Sequence, residues 1–143
     1  KQDEAYAFLN KHGLAVRSVG VLVGDARRAH DIAVRNGARS AQEPTVLTSP
    51  SGEDQTVSEI ELYGDVVLRF VSGSFQGPYL ATYQPVEDTH QQSYGLQRLD
   101  HAVGNAPKML PVLDYIANAT GFHEFAEFTA EDVGTLDSGL NSM

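Results

Sequence analysis

The chain contains 143 residues, of which 41% are hydrophobic and 20% charged, with a formal net charge of −9 and no cysteine. These proportions are typical of one globular domain or two small modules, and they exclude a disulfide framework and a thiolate metal site. The negative charge disfavours nucleic acid and anionic membranes as partners, and no apolar run is long enough to predict a membrane span. The start of the chain has no initiator methionine and no signal-peptide pattern, so we expect it to begin inside a longer protein.

The first half of the chain predicts a βαβββ unit preceded by a short helix over residues 3–11. A β-branched strand over 14–23 leads to Asp25, which caps a helix that Gly37 ends, with an apolar face of Ala26, Ala29, Ile32 and Ala33. The remaining elements are a weak strand over 38–42, a loop through Glu43-Pro44 and residues 49–52, and strands over 57–63 and 65–71 joined by a tight turn.

The pattern restarts after a Gly- and Pro-containing linker over residues 73–94. Residues 95–103 predict a strand. A helix follows, which Asn105 is expected to cap, with Pro107 in its first turn, and which Gly121 ends. Residues 122–129 predict another strand. We therefore predict an α+β fold of two βαβββ modules, the first over residues 1–72 and the second, over 95–143, incomplete. Such modules enclose a small-molecule site, and we do not expect Met143 to be a natural end, because an open sheet edge would be left exposed.

The candidate chemistry centres on His101. Alternation along the predicted strand places Leu99, His101 and Val103 on one face, which looks buried. A buried imidazole needs a polar partner, and both a metal ion and a backbone carbonyl satisfy it. A non-haem iron site needs two histidines and one carboxylate, and the other two ligands cannot be identified within this chain. The remaining histidines are expected to be structural or exposed to solvent: His12, His30, His90 and His123.

Several stretches resemble one known enzyme family. They are LDHAVGN at residues 99–105, GFHEFAEFTAEDVGT at 121–135 and SGLNS at 138–142, with HGLAVR at 12–17 and LYGDVVLR at 62–69. In these stretches the chain is similar to 4-hydroxyphenylpyruvate dioxygenase of the plant and green-algal type. The motifs are long and specific, and the similarity covers most of the chain.

The resemblance implies the vicinal-oxygen-chelate fold and an iron(II) enzyme that converts 4-hydroxyphenylpyruvate and O2 to homogentisate and CO2. It also implies a role in tyrosine breakdown and in plastoquinone and tocopherol supply, a homodimer, and a location in the cytoplasm or a plastid. Two alternatives stay open: a relative that forms 4-hydroxymandelate from the same 2-oxo acid, and a non-catalytic module of the same fold.

The resemblance also assigns roles to three residues. His101 matches the first of the family's two iron histidines, Ser142 matches the serine of the SGLNS motif that lines the substrate cavity, and Val103 matches a wall residue of that cavity. The second iron histidine and the iron glutamate lie downstream of Met143 in the family. We therefore expect the 143-residue chain by itself to be inactive.

Overall fold

The computed structural model of the chain describes residues 2–77, 79–84, 86–87 and 94–126. Its elements are three helices and four strands: α1 (Gln2–His12), β1 (Ser18–Leu22), α2 (Ala26–Arg35), β2 (Ser40–Thr48), β3 (Asp54–Tyr63), β4 (Val66–Gly73) and α3 (Met109–Thr120). Within these ranges, no helix is long and apolar enough to cross a membrane.

The four strands form one mixed sheet in the order β1-β4-β3-β2. β1 runs parallel to β4, whereas β2–β3 and β3–β4 are antiparallel pairs. A parallel pair needs a crossover connection, and α2 lies in the connection that leaves β1. The predicted βαβββ unit is therefore confirmed in the first part of the chain, which we call the first module (residues 18–73).

The core of the first module lies between α2 and one face of the sheet. α2 begins where predicted, because the Asp25 side chain accepts a hydrogen bond from the Arg28 N–H at 3.0 Å. Its small side chains allow the helix to approach the sheet closely, although Ile32 of the predicted apolar face stays partly exposed. The buried apolar cluster comprises Ala26, Ala33, Ala38, Ile60, Leu68, Phe70 and Ala119.

The prediction of a loop at Glu43-Pro44 is wrong. Both residues lie within β2, which extends from Ser40 to Thr48. β2 is at one end of the strand order, and its pairing with β3 shifts register around Gln42 and Thr45. An edge strand tolerates proline, because the missing N–H can face away from the neighbouring strand.

The second predicted module differs more from the sequence-based expectation. Residues 95–103 form no strand, and α3 begins at Met109 after Lys108, not after Asn105. Gly121 ends α3 as predicted, with a φ of +76°. Residues 122–126 form no strand, and the rest of that predicted strand lies outside the described residues. A strand requires a hydrogen-bonded neighbour, and all strands described belong to residues 18–73.

Helix α3 packs against the first module. Ala119 is 3% exposed and belongs to the buried cluster around α2, and Tyr115 packs at the margin of that cluster. The following residues, Phe122 and Phe125, are exposed. Within the described residues beyond the linker, α3 is thus anchored on the first module through one of its faces.

Candidate functional site

His101 lies in an irregular segment and is largely exposed to solvent. Its side chain is 71% exposed, and Nδ1 is 2.6 Å from Asp100 Oδ2. Arg98 lies on the other side of the same carboxylate, with Nη2 3.9 Å from Asp100 Oδ1. A carboxylate on one ring nitrogen fixes the imidazole tautomer and leaves the other nitrogen, Nε2, for a ligand.

The predicted buried face around His101 is not observed. Leu99 and Val103 are 86% and 75% exposed, so neither side chain covers the imidazole. Ser142, the third residue predicted for the site, lies outside the described residues. The structure therefore places His101 and Val103 in one segment but does not bring them together into a cavity.

The described residues do not complete an iron site. Among them, no group of three or more His, Asp or Glu side chains could hold a metal ion. The other described histidines are engaged elsewhere or exposed: His12 contacts Asp65, His30 is buried with Nε2 2.8 Å from Ser40 Oγ, and His123 faces solvent. A facial triad needs three ligands, and this part of the chain offers one candidate, with Nε2 of His101 open.

Charged groups that the sequence reasoning did not single out lie on the sheet face opposite α2. Glu59 and Arg69 are cross-strand neighbours on β3 and β4, and their side chains pair at 2.6 Å while only 10% and 22% exposed. Burial alone lowers the pKa of Arg69, but its hydrogen bonds with Glu59 and Tyr79 outweigh burial and raise that pKa. The pair is thus a compensated charge pair, which favours a structural role over a catalytic one. The alternation of residues 57–63 could have indicated the position of Glu59.

The segment after β4 lies over the same face. The Gln55 side chain donates to the Tyr79 carbonyl at 3.0 Å and accepts from the Ala81 N–H at 3.0 Å. Both hydrogen bonds are partly or fully buried, and Ala81 is 1% exposed. One amide side chain thus satisfies two backbone groups of the predicted linker, which ties its first part to the first module.

A cleft separates the start of α3 from the end of β3. Its volume is about 750 Å³, within the size range of small-molecule sites. The lining comes from both sides of the predicted linker, and its polar members are Arg39, Tyr63, Asn105, Lys108 and Tyr115. The Arg39 guanidinium pairs with Glu61, so that cation is already compensated.

The chain is similar in sequence to curated 4-hydroxyphenylpyruvate dioxygenases. It is 52% identical over 143 residues to the protein from Daucus carota, 51% identical to that from Hordeum vulgare, and 33% identical to that from Aspergillus fumigatus. These alignments cover 96%, 99% and 98% of this chain but only 31%, 32% and 37% of the relatives. The chain thus spans about a third of the length of the curated relatives it matches.

The structure is similar to a solved variant of 4-hydroxymandelate synthase from Streptomyces coelicolor. The TM-score is 0.61 at 17% identity, and the match covers 88% of this chain and 36% of that one. An identity this low shows the fold alone, and it confirms the predicted α+β fold of the vicinal-oxygen-chelate type. No protein-family profile matches the chain. The resemblance seen in the sequence motifs is confirmed: the chain is similar to the plant 4-hydroxyphenylpyruvate dioxygenases over about a third of their length.

Proposed function

We propose that the chain is part of a non-haem iron(II) dioxygenase that converts 4-hydroxyphenylpyruvate and O2 to homogentisate and CO2. The observation that supports this most strongly is the sequence similarity to four plant relatives. The chain is 49–52% identical to them, and the alignments cover 95–99% of the chain. No separate 2-oxo acid and no external reductant is needed, because decarboxylation of the substrate's own 2-oxo acid supplies two of the four electrons that reduce O2 and hydroxylation of its ring supplies the other two. The proposal includes a homodimer in the cytoplasm or a plastid.

In this proposal His101 is one iron ligand, and Val103 and Ser142 line the substrate cavity. The contact between Asp100 and His101 supports the assignment, because ligating histidines commonly donate their second ring N–H to a carboxylate. The domain assignment follows the same proposal. Residues 1–72 form a module of an N-terminal domain, 73–94 link the domains, and 95–143 begin the catalytic domain.

The proposal favours homogentisate over 4-hydroxymandelate as the product. The curated relatives named above all carry the 4-hydroxyphenylpyruvate dioxygenase name, whereas the 4-hydroxymandelate synthase shares only the fold at 17% identity. Identification of the aromatic product formed by the native polypeptide that contains this sequence separates the two reactions. Formation of 4-hydroxymandelate would overturn the product assignment.

The test of the proposal is a chimera. This chain replaces the matching third of the Daucus carota dioxygenase, and homogentisate formation from 4-hydroxyphenylpyruvate is measured with Fe(II) and O2. We expect an active chimera. His101→Ala should lower its activity by about a hundredfold or more, because loss of one of three ligands removes the metal's contribution.

The matched control is His123→Ala, which removes another exposed histidine of the same chain. Its activity should stay close to that of the parent chimera. Equal activity of the His101→Ala and His123→Ala chimeras contradicts the ligand assignment. A folded chimera without any activity favours the alternative of a non-catalytic module.

A further inference from the structure

The end of β3 contacts two parts of the chain beyond the linker. On α3, the Tyr115 hydroxyl donates a hydrogen bond to the Glu61 carbonyl at 2.6 Å and accepts one from the Arg39 N–H at 3.3 Å. In the segment before α3, the backbone of Gly104 lies against the Tyr63 hydroxyl. We call these five residues the β3 junction: Arg39, Glu61, Tyr63, Gly104 and Tyr115.

The Tyr115 hydroxyl occupies the place of a missing ladder bond between β2 and β3. The Glu61 N–H donates to the Arg39 carbonyl at 2.9 Å, which is one half of an antiparallel pair. The reverse bond, from the Arg39 N–H to the Glu61 carbonyl, is replaced by a bridge through the Tyr115 oxygen. Since a tyrosine hydroxyl both donates and accepts, it satisfies two backbone groups that phenylalanine would leave without this partner.

The Gly104 contact extends the junction toward His101. A Cβ atom on Gly104 would overlap the Tyr63 hydroxyl, so the close approach depends on the absence of a side chain. Only two residues lie between His101 and Gly104, so their Cα atoms are at most about 10 Å apart along an extended chain. The first module thus holds the chain on both sides of residues 105–114, at Gly104 and at Tyr115.

We propose that Tyr115 is a positioning residue, which fixes the segment that carries His101 on the first module through the end of β3. This inference rests on the proposed function, because it assigns His101 a place that matters for the reaction. Tyr115 does not touch the reacting groups in this proposal. It acts by holding α3, and with it the residues that precede the helix, against Arg39 and Glu61.

The test is Tyr115→Phe in the chimera described above, which removes one oxygen atom and keeps the ring. Tyr6→Phe is the matched control, because Tyr6 is 68% exposed on α1. Amide hydrogen exchange reports on the junction, and steady-state kinetics report on the reaction. We expect exchange of the Arg39 amide to rise at least about threefold in Tyr115→Phe, which corresponds to the loss of one hydrogen bond.

We also expect a kcat lowered by about tenfold at an unchanged KM, because small displacements of a reacting group are costly in rate and Tyr115 does not touch the substrate in this proposal. Tyr6→Phe should change none of these quantities. A purely structural role for Tyr115 would raise exchange at Arg39 but leave kcat unchanged, which overturns the inference. Unprotected Arg39 in the parent chimera overturns it as well.

The failure of the inference is distinguishable from that of the proposed function. An inactive but folded parent chimera contradicts the proposed function, while exchange at Arg39 still reports whether the junction exists. An active parent chimera with an unaffected Tyr115→Phe variant contradicts the inference alone.

Discussion

The segment over residues 94–126 contains a larger share of apolar residues than the first module, yet the two regions bury their apolar side chains differently. In the first module, Ile60 is fully buried and Leu68 and Phe70 are at most 5% exposed, because α2 covers that face of the sheet. In the second region, Leu96 and Leu99 are 84% and 86% exposed. Both regions have β-like alternation, yet only the first forms strands.

The difference between the two regions shows what an alternating pattern specifies. Alternation determines which side chains share a face, but the strand itself requires a neighbour that supplies hydrogen bonds. β1 has that neighbour in β4, with five residue pairs from Ser18–Val67 to Leu22–Val71. Residues 95–103 have none among the described strands.

The largest expected effect that tests this comparison is on the stability of the 143-residue chain. Ile60→Ala should lower the free energy of unfolding by about 2–5 kcal/mol, because it opens a cavity in a close-packed core. Leu99→Ala should change it by less than about 0.5 kcal/mol, because that side chain is already exposed. Urea unfolding followed by circular dichroism measures both, and similar losses in the two variants would contradict the comparison.

A smaller effect is expected where the two regions meet. Gly104→Ala should destabilise the chain by about 1 kcal/mol, since the added Cβ overlaps the Tyr63 hydroxyl and either that ring or the segment must shift. Gly20→Ala on β1 is the matched control, because nothing lies within 4 Å of its added Cβ. Thermal unfolding compares the two variants. A Gly104→Ala variant as stable as the Gly20→Ala control would show that the Gly104 contact does not contribute.

The smallest expected effect is a pH dependence at Asp65, where the first module contacts α1. The hydrogen bonds from Lys11 and His12 to Asp65, at 2.6 and 2.7 Å, lower the pKa of Asp65 from 3.8 to about 2. A lowered pKa in the folded state stabilises the fold above the unfolded value, and this contribution is lost as the pH falls from about 4 toward 2. The side chain is exposed, so solvent screening keeps the effect small.

Unfolding measured at several pH values tests this effect of Asp65. Asp65→Asn should flatten the acid side of the stability profile, whereas Asp114→Asn, at an exposed carboxylate on α3, should leave it as in the parent chain. Identical profiles for Asp65→Asn and the parent would show that these hydrogen bonds contribute nothing measurable.

Much of the first module could be predicted because its signals are local. Asp25 caps α2, Gly37 follows its end with a φ of +97°, and Gly64 takes a positive φ in the turn between β3 and β4. Pro44 misled the prediction, because a sequence does not show that a strand lies at an edge. The start of α3 was missed because Pro107 and Pro111 both suit a first helical turn, and only the structure places Pro111 there.

The candidate site could be predicted only in part. The motif around His101 identifies one candidate ligand, but no local pattern shows where the other ligands lie or what covers the imidazole. The β3 junction was not predictable either. Tyr115 and Glu61 are 54 residues apart, and a tyrosine in an apolar helix is ordinarily interpreted as a packing residue.

The position of Pro44 has a consequence for self-association. β2 ends the described strand order, so its outer edge is where another extended chain could add. Pro44 removes one N–H from that strand, and the register shifts around Gln42 and Thr45 distort its pairing. Within the described sheet, the missing N–H and the irregular pairing therefore disfavour edge-to-edge association through β2.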